Sequence, residues 1–348
     1  MVQIAEMLPN SPGNEGLWRL ASQMGVRYAV GSLPDQTLCG PGEQPWDYQP
    51  LLRLKQKHNE AGFELPVIES RPPLNLTKRG LDGRDAEIDT VCALIENMGR
   101  VGIKTWCYEW MADFNWLRTD FGYQSRGGSL VTRYRHADMA GAAPTPLGEV
   151  SEETLWDSLE YFLRRVLPVA EKAGVELAMH PDDPPISPIR GVARIMRSVD
   201  NFQRLLDLVP SPMNGITLCQ GNFVLMDPDL PGTIRKFGRQ NKIFFVHLRD
   251  VVGTVEDYHE TWHDDGPTDL LECLRTYDEI GFTGVLRPDH VPSVEGEDNL
   301  HPGYQLYGRL FAVGYIAGLL ESLGTRSLRR TYTGTEAPQP QGGQALAV

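Results

Sequence analysis

Short apolar runs recur along the chain, separated by longer stretches whose apolar positions repeat with helical spacing. Gln3 to Leu8 and Val26 to Leu33 read as the first two strands, with an amphipathic segment from Glu15 to Met24 between them. Leu65 to Ser70 and Lys104 to Glu109 follow as strands three and four. Between these, Asp85 to Met98 sets Ile88, Val91, Cys92, Leu94 and Ile95 at helical spacing. The next helix has a clear start. Ser151 is a good N-cap, Glu152 and Glu153 occupy the first turn, and Leu155, Leu159, Phe162, Leu163 and Val166 form one face; Pro168 is expected to kink its end. Strands five to eight are Val175 to His180, Gly215 to Cys219, Ile243 to His247 and Gly284 to Asp289. Helices near 200–209, 231–238 and 269–280 alternate with them, and a last helix over 307–323 completes eight units. Repeated strand–helix alternation with mostly apolar strands predicts a parallel sheet covered on both faces, here closed as a (β/α)8 barrel.

The last four runs end alike. His180, Cys219, His247 and Asp289 each close an apolar strand, and neighbouring parallel strands would bring them to one rim, where barrel active sites are built. A lone His at a strand end is usually structural, and a lone Cys is usually a small hydrophobe. Four such residues at one topological position point instead to a divalent metal, with imidazole, thiolate and carboxylate ligands and open positions for substrate oxygens. Thiolate softness alone suggests Zn²⁺, Fe²⁺ or Co²⁺. Three arginines fall near the same rim: Arg118 after strand four, Arg249 two residues past His247 and Arg287 two before Asp289. Guanidinium groups there suit capture of a carboxylate, so the expected ligand is an anionic small molecule. In His180-Pro-Asp-Asp-Pro-Pro185, Asp182 or Asp183 is expected to orient the imidazole.

Two segments stand outside the strand–helix rhythm. Residues 121–150 are rich in Gly, Ala and Pro, carry Arg126, Arg133 and Arg135, and leave from the rim after strand four; a lid over the pocket is expected. Residues 326–348 read as a flexible tail beyond a single catalytic domain spanning 1–325. The net charge of −13 argues against nucleic acid as a partner. No apolar stretch is long enough for a membrane span and the N-terminus lacks a signal-peptide pattern, so a cytoplasmic location is expected. The 5 cysteines are odd in number, widely spaced and free of CxxC pairs, which argues against a disulfide framework. The oligomeric state stays open, a homo-oligomer among the options.

Taken as an ordered set, several motifs resemble the mannonate dehydratases, a family of xylose-isomerase-like TIM barrels. They are His180-Pro-Asp-Asp-Pro-Pro185, Gly191-Val-Ala-Arg-Ile195, Asn214-Gly-Ile-Thr-Leu-Cys219, Phe245-Val-His-Leu-Arg249 and Arg287-Pro-Asp-His290, with Cys107-Tyr-Glu-Trp-Met111 and Trp116-Leu-Arg-Thr-Asp120 upstream. The resemblance implies dehydration of D-mannonate to 2-keto-3-deoxy-D-gluconate in hexuronate breakdown, with Mn²⁺ or Fe²⁺ as the ion, other divalent ions remaining open. It places the metal on His180, Cys219, His247 and Asp289, the set already read from the strand ends. It also places an acid–base pair on His290 and on Tyr304 of His301-Pro-Gly-Tyr304. Proton removal beside a carboxylate needs a base, and expulsion of the neighbouring hydroxyl needs an acid.

The chain departs from that pattern at Glu109, where the family has Asn, at Val291, at Gln220-Gly221-Asn222 and at Gly191-Val-Ala-Arg194, and its first 60 residues match poorly. Glu109 puts a carboxylate at the rim of a site for an anion, where it either selects a different sugar acid or pairs with Arg118. His263 matches a family His after strand seven and is a candidate substrate contact. An isomerase or epimerase of the same barrel class is the alternative activity, and a non-catalytic sugar-acid binding protein is a third.

Overall fold

The computed structural model describes residues 2–329. Eight parallel strands close into a barrel: β1 (Gln3–Met7), β2 (Tyr28–Gly31), β3 (Glu64–Glu69), β4 (Thr105–Glu109), β7 (Glu176–His180), β8 (Asn214–Cys219), β9 (Ile243–Leu248) and β12 (Val285–Pro288). Around the ring they run β1, β12, β9, β8, β7, β4, β3, β2. The remaining strands, β5 (Asp120–Gln124), β6 (Leu130–Arg135), β10 (Val251–Thr254) and β11 (Asp257–Glu260), form a separate antiparallel sheet in the order β10, β11, β6, β5. All eight expected barrel strands are present, with ends shifted by a few residues.

Strand alternation explains how the barrel is filled. In β7, Leu177 and Met179 join the large core between strands and helices, whereas Ala178 packs in a second cluster with Ala5, Val30, Val67, Cys107, Phe245 and Val285. That second cluster lines the barrel interior. Two residues further along the same strand faces stand Glu69, Glu109, His180, Cys219, His247 and Arg287, one polar layer above an apolar one. Register keeps the polar layer level: Glu109 pairs with His180, Cys219 with His247 and Arg287 with His247.

The helix Glu152–Ala173 starts as expected, with Ser151 Oγ accepting from Thr154 N at 3.0 Å, and it carries Pro168 inside its last two turns. Three helices had no matching expectation, one of them the single turn Asn75–Lys78. Tyr48–Glu60 carries Pro50 in its first turn, where the missing N–H costs nothing, and buries Leu51, Leu54 and His58 along an otherwise polar sequence. Gln220–Met226 is short and follows directly from Cys219. The 121–150 segment is also more ordered than a plain loop. Its strand β6 pairs with β11 from the hairpin after β9, and Arg133 and Arg126 bridge to Asp257 and Asp264 at 2.7 and 2.8 Å. The structural description of the expected tail stops at Arg329, so most of 326–348 lies outside the described residues. Among the described residues no helix is long and apolar enough to cross a membrane.

Candidate active site

At the C-terminal rim the polar layer opens into a cavity of about 450 Å³, lined among others by His180, His247, Arg287, Asp289, His290 and Tyr304. His180 Nε2 lies 3.2 Å from His247 Nδ1, and Asp289 Oδ2 lies 3.6 Å from that nitrogen and 3.9 Å from Cys219 Sγ. Ligand atoms of His180, Cys219 and His247 all fall within 4.8 Å of one another. Hydrogen bonding suits them to a cation. His180 Nδ1 lies 2.7 Å from the Pro181 carbonyl, which can only accept, so Nε2 is left with its lone pair facing the cluster. His247 turns Nε2 towards Glu69 Oε2 at 3.3 Å and Nδ1 towards the cluster. Two imidazole nitrogens and a thiol gathered in one cluster, with the Asp289 carboxylate beside His247 and Cys219, suit the donor set of a divalent ion.

Beside this cluster sits a second arrangement. His290 Nε2 is 2.9 Å from the Tyr304 hydroxyl, and His290 Nδ1 is 2.8 Å from Glu260 Oε1. Burial alone would raise the Glu260 carboxyl, but Arg249, His290 and Arg118 around it hold it at about 2. An ionised Glu260 accepts from Nδ1–H and leaves Nε2 to accept from Tyr304. Burial pushes the Tyr304 hydroxyl above its ordinary pKa, with the Asp289 charge adding to the effect, so the phenol keeps its proton. Trp116 packs against both rings, 5.2 Å from His290 and 6.4 Å from Tyr304.

The three arginines differ from expectation. Arg118 gives Nη1 and Nη2 to Asp183 at 2.6 and 3.0 Å and Nη2 to Glu260 at 2.6 Å. Arg249 bonds Glu260, Asp183, Asn222 and Asp289, and a Cβ added at Gly221 would meet its Nη1 at 2.6 Å, so a glycine there admits the guanidinium. Both are buried beside the cavity rather than lining it. A buried guanidinium is too costly to leave unpaired, and protein carboxylates take the places expected for a substrate. Arg287 does line the cavity, but it gives Nε and Nη2 to Glu69 and Nη1 to Asp289. Asp183 therefore serves the arginines and not His180. Asp182 instead accepts from the backbone N of Met196 at 2.7 Å.

Glu109 lines the cavity but does not meet Arg118. Its carboxylate takes Lys78 Nζ at 2.9 Å on both oxygens, Met111 N at 2.5 Å and the Arg71 Nε. Burial would raise this carboxyl; Lys78 and Arg71 hold it at about 2. Burial brings Lys78 down to about 8, with Glu109 opposing the shift. His263 is buried behind β9 with Nε2 2.8 Å from the Leu248 carbonyl, and it does not line the cavity. The strands thus bring together His180, Cys219, His247, Asp289, Arg287, His290, Tyr304 and Glu109, and set Arg118, Arg249 and His263 behind them.

Four polar residues escaped the sequence expectation. Glu69 ends the run Leu65-Pro-Val-Ile-Glu69 and obeys the same strand-end rule as His180, Cys219, His247 and Asp289, so its signal was present. Glu260 lies in a rim hairpin, and Arg71 and Lys78 lie in the segment after β3; none has a local signal.

A closed parallel barrel with a metal-type donor cluster and a hydrogen-bonded His–Tyr pair in one rim cavity has the architecture of a (β/α)8 barrel enzyme. Comparison with known proteins narrows this. The model of the D-mannonate dehydratase family matches residues 19–149 and 146–330. The mannonate dehydratase of Thermotoga neapolitana is 36% identical over 334 residues, covering 86% of this chain and 91% of its own. Mannonate dehydratase 1 of Bacillus licheniformis is 35% identical, with 86% and 89% covered. The crystal structure of the Streptococcus suis serotype 2 mannonate dehydratase superposes with a TM-score of 0.86 at 32% identity, over 97% of this chain and 99% of that one. An L-ribulose 3-epimerase, at 16% identity and a TM-score of 0.59, shares the fold alone. The chain belongs to the mannonate dehydratase family and is a hydro-lyase.

Proposed function

We propose that the chain dehydrates D-mannonate to 2-keto-3-deoxy-D-gluconate, a step of hexuronate breakdown, with Mn²⁺ or Fe²⁺ on His180, Cys219, His247 and Asp289. The observation that carries this reading is the His290–Tyr304 hydrogen bond of 2.9 Å in the same cavity as the ligand cluster. A divalent ion in that cluster would offset the negative charge that develops beside the substrate carboxylate. The protein groups move the protons. Of His290 and Tyr304, one takes the proton from C2 and the other protonates the hydroxyl leaving C3, so water departs and the resulting enol tautomerises to the 2-keto acid. Their direct hydrogen bond lets one proton pass between them and reset the pair. Glu260 fixes the imidazole orientation throughout. Incubation of metal-loaded protein with a panel of aldonates, with colorimetric detection of 2-keto-3-deoxy acids, tests the assignment: D-mannonate is expected to give product, and no keto acid from any aldonate would contradict it.

The 121–150 segment fits a cover for this site, because it carries β6 across the rim to the hairpin that delivers Glu260. Limited proteolysis within 121–150 is expected to slow when D-mannonate is bound. Equal cleavage with and without it would remove the lid assignment.

A further inference from the structure

Most cations around the cavity are neutralised by protein. Arg287 spends Nε and both terminal nitrogens on Glu69 and Asp289, and Arg118 and Arg249 are enclosed by Asp183 and Glu260. Arg71 differs. It lines the cavity, its side chain is 28% exposed, and only its Nε is engaged, by Glu109. Among the described residues neither terminal nitrogen of Arg71 has a hydrogen-bond partner. Glu109 is held from beneath by fully buried Lys78, which also donates to the Met111 carbonyl at 2.9 Å. Two cations share one carboxylate, so one positive charge is left over, and it sits on the group that faces the cavity.

Topology places that group. Around the ring β3 and β4 lie diametrically across from β12 and β9. Arg71 follows β3 and Glu109 ends β4, whereas His290 follows β12 and His247 lies on β9. A chain-like ligand with its reacting carbons at His290 and Tyr304 therefore extends its other end towards Arg71. The planar fork of a guanidinium, with its outer edge free, suits two adjacent oxygen atoms.

We infer that Arg71, aimed by Glu109, is a specificity-determining residue that binds the terminal hydroxyls of the sugar acid, at the chain end remote from His290 and Tyr304. This rests on the dehydratase reading for the orientation of the ligand. It also gives Glu109 a part in selectivity, through the arginine it holds.

The test compares D-mannonate with D-lyxonate, the same acid shortened by its terminal carbon, using calorimetric binding to metal-loaded wild-type, Arg71→Met and Arg71→Lys proteins. Loss of a charge-assisted contact should weaken D-mannonate binding to Arg71→Met by about 10–100-fold, leave D-lyxonate binding within about threefold, and so erase the discrimination. Arg71→Lys, which keeps the charge but not the fork, should fall between, and it serves alone if the Met variant fails to fold. Metal content and kcat on D-mannonate should stay within about threefold of wild type, with the loss in KM, a split that a structural defect would not produce. Unchanged discrimination in both variants overturns the assignment, as does a wild-type protein that binds neither acid. Wild-type binding with Arg71-dependent discrimination but no keto acid would support Arg71 and reject the dehydratase reading. Full turnover with variant-independent binding would reject Arg71 alone.

Discussion

The two sides of the rim carry chemistry of different kinds. On β7, β8 and β9 and directly after β12, each run contributes its own candidate donor, and the cluster forms because register brings four local endings together. On β3 and β4, function depends on pairs made far along the chain: Glu69 meets Arg287 at a separation of 218 residues, and Glu109 meets Lys78 at a separation of 31. One side is brought together chiefly by strand register. The other is assembled by charge compensation, which topology permits but does not dictate.

Removing a partner on the compensated side should have the largest effect on stability. Lys78→Met leaves the buried Glu109 with Arg71 as its remaining cation, and losing one partner of a buried pair costs about 3–5 kcal/mol, measurable by chemical denaturation. The pH dependence has a fixed sign. Because Glu109 is held at about 2 against an ordinary 4.5, its contribution is complete above 4.5 and is lost as pH falls towards 2. The variant should therefore lose less stability than wild type over that interval, and parallel curves would show that Lys78 is not what holds the carboxyl down.

Beside the strand-end cluster, at Glu260 of the rim hairpin, a variant should lower the rate as well as the stability. Glu260→Gln keeps the shape of the group but removes the charge that orients His290 and that Arg118 and Arg249 share, so kcat should fall by about tenfold with metal content unchanged, alongside a loss of stability on denaturation. Unaltered kcat would reduce Glu260 to a partner of Arg118 and Arg249.

This contrast explains what was legible in the sequence. Strand endings and helix caps are local, so the barrel, the convergence of His180, Cys219, His247 and Asp289 at one rim, and the cap at Ser151 could be placed from spacing. His290 and Tyr304 were found through motif resemblance and not through spacing. The partners of buried charges are not local. Nothing in Trp116-Leu-Arg-Thr-Asp120 reveals that Arg118 faces Asp183 and Glu260, and Glu109 was given Arg118 as its alternative partner when Lys78 and Arg71 hold it. The helix Tyr48–Glu60 was missed because its polar composition hides a narrow buried stripe.

The central claim is that ligand cluster and acid–base pair form one site with separable parts. Metal content and 2-keto-3-deoxy acid formation from D-mannonate, measured together on wild type, Cys219→Ser and His290→Asn, test it most directly. Wild type should bind metal and form product, Cys219→Ser should lose metal, and His290→Asn should keep metal while losing turnover by about 10²–10⁴-fold. Near-wild-type turnover in His290→Asn, or unchanged metal content in Cys219→Ser, would contradict the account.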